Sequence, residues 1–212
     1  MRIGALSTRT GVPVPTIKYY LREGLLHPGE LTSPNQAQYG DGHVRRLKLV
    51  RALLDVGKLS IAATRTVLDS VDAPDSSLHE VLGIAQQALT PPVPADDGSA
   101  DLREAQQLAD RLIADRGWQV EPGSPARESL ARIVLTYHDL GQADLLVLLD
   151  DYAAAAERLA VAEVAAVGRR PDPDSLVEGA VLGTVLGDAL ITALRRLAQE
   201  NASARAFAAA DS

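Results

Sequence analysis

The chain has 212 residues, 46% hydrophobic and 23% charged, with a net charge of −7 and no cysteine. That composition suits a folded soluble chain of one or two domains. The missing thiols exclude disulfide scaffolds, thiolate metal sites and thiol redox sensing. The charge is uneven: residues 1–70 hold ten of the 21 Lys and Arg but five of the 28 Asp and Glu, net +5, which leaves −12 on the remainder. A basic head on an acidic body is the distribution expected where one end meets a polyanion.

In chain order, Ile3, Leu6 and Thr10 have helical spacing and Gly11 ends a first short helix. Val12-Pro13-Val14-Pro15 cannot all be helical, and Pro15 suits the first position of a second helix. Ile17, Tyr20 and Leu21 form its inward stripe and Gly24 its C-terminal stop. His27–Gly42 is rich in Pro, Gly, Asn and Ser and reads as a loop or small hairpin. Asp41 is the expected cap of a third helix over 42–56, with Val44, Leu47, Val50, Leu53 and Leu54 inward and Arg45, Arg46, Lys48 and Arg51 outward. Gly57 ends it, and Ser60 is the expected cap of a fourth helix over 61–71.

Residues 75–89 carry a further amphipathic pattern, and Thr90–Ser99 is the best linker in the chain. Helical patterns follow near 100–116, 125–140, 142–167 and 174–200, with almost no strand signal outside the N-terminal loop. The expected fold is mainly α: an N-terminal winged helix-turn-helix with a small β wing over 1–72, a connecting or dimerisation helix over 75–90, a linker over 91–99, and an all-helical domain over 100–212.

The N-terminus lacks the apolar core of a signal peptide. The most apolar stretch, Leu176–Leu194, is interrupted by Glu178 and Asp188 and reads as a buried helix rather than a membrane span. A cytoplasmic protein without a membrane partner is expected.

Two short helices joined by a Gly-containing turn make a helix-turn-helix candidate, whose second helix enters the DNA major groove. On that helix Lys18 and Arg22 share one flank, Thr16 and Tyr20 the other, and the helical wheel points Tyr19 away from the buried stripe. Cations there can neutralise phosphates or reach guanine acceptors, and a tyrosine hydroxyl can donate to a phosphate. Packing of both tyrosines in a small core is the competing reading.

RIGALSTRTGV–PVPTIKYYLREGLL, a loop ending in Tyr39, and GHVRRLKLVRALLDVGKLSIAATRTVL together resemble the MerR-type winged-helix transcription regulators over about residues 1–71. The resemblance places TIKYY in the recognition helix, implies DNA contacts for Lys18 and Tyr20 with Thr16 and Arg22 beside them, and matches Tyr39 to the wing tyrosine. Of the two tyrosines it favours Tyr20 as the one that meets DNA. It also implies a phosphate at the helix start near Ser60. The full candidate DNA-binding set is Pro15, Thr16, Lys18, Tyr19, Tyr20, Arg22, Gln38, Tyr39, Arg45, Lys58 and Ser60. The wing departs from the family pattern: NQAQY (residues 35–39) is shorter and lacks the wing arginine. The glutamate that often follows the paired tyrosines is Leu21 here.

The resemblance further implies a homodimer on pseudo-palindromic double-stranded DNA, a distorted promoter, and RNA polymerase as a partner there. In the acidic body, Gly179, Gly183 and Gly187 lie at i, i+4, i+8 and expose one bare strip, for bundle packing or a symmetric dimer seam. Trp118, Tyr137 and Tyr152, with His138, are the candidates for lining a small organic effector's pocket; core filling is the plainer role for the aromatics. The four histidines have no ligand spacing, so no metal or other cofactor is expected. No nucleophile–base pair, P-loop or GxGxxG motif indicates an enzyme. A sequestering small-molecule-binding protein is the alternative from another class.

Overall fold

The computed structural model describes residues 1–33, 36–73, 77–90 and 98–207, without the side chains of 173 and 174. The expected linker core at 91–97, the start of the 75–89 helix and wing residue Asn35 lie outside that set. The chain forms two compact units, Met1–Ala88 with Pro171–Ser212, and Leu89–Arg170.

In the first unit, α1 (Ile3–Thr10) ends at Gly11, whose φ of 71° is left-handed and suits glycine at a helix stop. Pro13 precedes α2 (Val14–Arg22), and Gly24 (φ 73°) turns the chain after it. The strands β1 (Glu30–Ser33) and β2 (Gln36–Gln38) pair antiparallel, with Leu31 opposite Ala37 and an irregularity before Ser33. Helix α3 (Asp41–Arg51) runs into a π-helical turn over Ala52–Val56. Its cap is Gly40, not Asp41: the Gly40 amide donates to His43 Nδ1 at 3.1 Å, while Asp41 joins Arg9 at 2.6 Å. Ser60 does cap α4 (Ile61–Asp72), accepting from the Ala63 amide at 3.1 Å. Leu6, Ile17, Leu25, Leu47, Leu53 and Leu68 form the apolar interior.

Helix α5 (Leu78–Leu89) buries Val81 and Ala85. Helix α9 (Pro173–Phe207) returns to this unit and contacts the π turn and α4. The stretch expected as a single domain over 100–212 is therefore shared between the two units. Val181 and Val185 are buried. A Cβ at Gly57 would collide with Val185 Cγ1 and lie 2.8 Å from the Leu53 carbonyl oxygen. Gly57→Ala is expected to cost about 1–2 kcal/mol by over-packing, read as a lower denaturation midpoint.

Only the first part of α9 is buried, so the expectation of a buried helix over 176–194 is corrected. Every residue from 190 to 207 is exposed. The sequence pattern could not separate apolar side chains that meet the same unit from those that leave it.

Thr64 is fully buried on α4 and its hydroxyl has no hydrogen-bond partner among the described residues. An unpaired buried hydroxyl opposes folding. Thr64→Val keeps the shape and is expected to stabilise the protein by about 1 kcal/mol, seen as a higher urea midpoint.

The second unit contains α6 (Ala100–Asp115), α7 (Pro125–Asp139), a 3₁₀ turn over Ala143–Leu148 and α8 (Leu149–Val167). Helices α6 and α7 pack through Ala105, Ala109, Ala131 and Val134, whose small side chains let the backbones approach. Arg127 grips Asp110 with two bonds of 2.6 and 2.8 Å, which holds the Asp110 carboxyl below its usual range. Helix α8 buries only Ala153.

Candidate nucleic-acid interface

All eleven candidate DNA-contacting residues belong to the first unit. Helix α2 is fixed from below by Ile17 and Tyr20 and at its end by Arg65, which donates to the Glu23 carbonyl at 2.8 Å and reaches its carboxylate at 3.3 Å. Pro15, Lys18 and Arg22 are exposed, and Thr16 is half-buried. The Arg22 guanidinium lies 5.2 Å from the Tyr19 ring centroid, so ring and cation form one stacked surface.

The two tyrosines differ. Tyr20 is 8% exposed, and burial raises its hydroxyl pKa above the ordinary phenol value, with Asp55 adding to the shift. Tyr19 is half-buried. Their rings sit 6.0 Å apart, tilted by 50°. The preference for Tyr20 as the DNA-facing member does not match its burial. The wheel's outward placement of Tyr19 does, because Tyr20 falls on the inward stripe with Ile17.

Tyr39 is also buried, edge-on to the His43 ring at 5.1 Å. It anchors the strand pair instead of projecting from it. Its amide donates to the Met1 carbonyl at 2.8 Å, and the Met1 ammonium donates to the Tyr39 carbonyl at 2.7 Å. Gln38 is exposed, with its Oε1 3.5 Å from that ammonium. Arg2 donates to Gln36 Oε1 at 2.7 Å. Sequence reasoning missed this bolting of the wing to the N-terminus, because the partners are more than 30 positions apart.

On α3, Arg45 is exposed. Arg46 is not an outward cation: its side chain is 10% exposed and forks onto Asp72 at 2.8 and 2.7 Å while donating to the Leu25 carbonyl at 3.0 Å. Lys58 is exposed with a left-handed φ of 57°, and Ser60 is exposed at the start of α4. A helix start beside a lysine favours an anion.

The family model for MerR HTH family regulatory proteins matches residues 1–71. The crystal structure of SCO5550 from Streptomyces coelicolor A3(2), a candidate transcriptional regulator, aligns with a TM-score of 0.72 at 37% identity over 97% of each chain. The chain belongs to the MerR family.

Among curated MerR relatives, a regulator named as a ZntR homolog from Haemophilus influenzae is 32% identical over 38% of this chain. HmrR from Rhizobium leguminosarum bv. viciae is 28% identical over 62% of the chain and 98% of its own length. Heavy metal-dependent transcription regulator 2 from Rhizobium meliloti is 39% identical over 27% of the chain. The chain spans 59% of the ZntR homolog and 39% of the Rhizobium meliloti regulator. MerR regulators bind DNA to control transcription and are not enzymes.

The candidate effector residues belong to the second unit. Trp118 is half-buried and its indole donates to Glu157 Oε1 at 3.2 Å; Arg116 joins the same carboxylate at 3.5 Å and Asp150 at 3.2 Å. Tyr137 is half-buried, and His138 and Tyr152 are exposed. The indole is therefore engaged in holding the end of α6 to α8. A cavity of about 290 Å³ lies in the first unit instead, lined by Thr10, Leu47, Lys48, Arg51, Ala52, Asp55 and Val56. Among the described residues no group of three or more His, Asp or Glu is placed to hold a metal.

Proposed function

We propose that the protein acts in the cytoplasm as a homodimer that places two copies of α2 in successive major grooves of a pseudo-palindromic promoter. Exposed Lys18 and Arg22 on a helix whose other face is buried carry this reading. Arg45, Lys58 and the capped start of α4 add phosphate contacts that orient each head. Two heads on one site can hold DNA bent, offsetting a deformation of several kcal/mol, so that RNA polymerase engages the promoter.

The C-terminal helices serve dimerisation, a reading supported by the exposed apolar side chains of α8 and α9. The metal chemistry in one relative's name does not transfer readily, since this chain has no cysteine to supply thiolates. A permuted-fragment mobility assay tests the proposal: mobility should vary with the position of the site, with two chains bound per duplex. Uniform mobility would remove the distortion mechanism, and one chain per duplex would remove the dimer.

A further inference from the structure

Beyond Asp188, α9 carries exposed apolar side chains: Leu190 is 61% exposed and Leu197 62%, with Ile191 and Leu194 also exposed. Gly183, Gly187, Leu190, Leu194, Leu197 and Asn201 recur at alternating steps of four and three, the spacing of a coiled-coil seam. At about 100° per residue this stripe lies across the helix from Val181 and Val185, which face the first unit. The packed face and the stripe therefore do not compete.

We propose that residues 183–201 of α9 pair antiparallel with the same segment of a second copy, about a two-fold axis level with Thr192. This rests on the homodimer reading but assigns its seam to α9 rather than to α5. The stripe is complementary to itself in that one register. Leu190 lies level with Leu194 of the second copy, and each Leu197 lies level with the bare Gly187, where no side chain blocks close approach. The polar Asn201 meets Gly183 and marks the end of the seam. The self-matching pattern makes a closed two-fold contact rather than an open chain. The segment from Ser175 to Phe207 is also long and apolar enough to cross a membrane, so lipid is an outcome that the test must separate.

The absence of native cysteine permits a clean test on the full-length protein. Leu190→Cys and Leu194→Cys chains, co-expressed and oxidised, are expected to give a mixed disulfide dimer. Thr192→Cys, on the opposite side, is expected to stay monomeric on a denaturing gel. Leu190→Glu with Leu194→Glu is expected to raise the dimer dissociation constant about 100-fold or more in analytical ultracentrifugation while α-helical circular dichroism is retained. A dimer that survives the double glutamate change, with no mixed disulfide, overturns the α9 seam and leaves the homodimer standing. A wild-type chain that is monomeric at every concentration removes both. Flotation of the wild-type chain with phosphatidylcholine–phosphatidylglycerol vesicles, without the mixed disulfide, overturns the seam in favour of lipid.

Discussion

Lys18→Ala combined with Arg22→Ala is expected to weaken binding to the promoter site by about 100-fold or more near physiological salt, with the fold unchanged. Both side chains are exposed on α2 and neither belongs to its buried stripe. Arg22 additionally loses its stack on Tyr19, which leaves that ring freer. If all four cations of a dimer neutralise phosphates, the slope of log K against log salt should become shallower by about 3–4. Fluorescence anisotropy at several salt concentrations measures both quantities, and thermal melting checks the fold. An unchanged slope would mean that these cations do not meet the phosphate backbone. Tyr19→Phe is a milder companion, separating the hydroxyl from the stacked ring.

Arg46→Ala is the change expected to destabilise the protein most, by about 2–4 kcal/mol. Its guanidinium joins three elements: α3, the turn after α2 through Leu25, and the end of α4 through Asp72. Removing it takes this donor from the part-buried Leu25 carbonyl and, among the described residues, leaves Asp72 the exposed imidazole of His27, at 3.1 Å. The partial exposure of Asp72 keeps the cost below that of a fully buried pair. Chemical denaturation should show a lower midpoint with little change in slope. Arg46→Lys should recover only part of the loss, since an ammonium cannot fork onto both carboxylate oxygens while reaching Leu25.

The helices of the first unit were legible where local chemistry decides. Gly11 and Gly24 take left-handed φ values that other residues resist, and Ser60 caps α4 as its position suggests. Positions decided by distant partners were not legible. Arg46 borders the buried stripe of α3, one turn before Val50, but the partner that makes it a clamp, Asp72, lies 26 residues away. Asp41 looked like a cap until Arg9 engaged it. The π turn over Ala52–Val56 continues the apolar periodicity of α3, so nothing in the pattern announces the widened turn. In the paired tyrosines the wheel indicated Tyr19 and family likeness indicated Tyr20; packing against Ile17's side of α2 buries Tyr20. The reach of α9 to Phe207 was foreshortened because its final turns, rich in Ala with Arg205, carry a weak apolar signal.

Selection from a library of the source genome's fragments at graded salt measures whether the basic N-terminal unit binds specific duplex DNA. A discrete set of fragments should be retained, with an affinity that falls steeply with salt, and the Lys18→Ala, Arg22→Ala chain should fail to retain them. Retention of no fragment even at low salt, or equal retention by the altered chain, would contradict that binding.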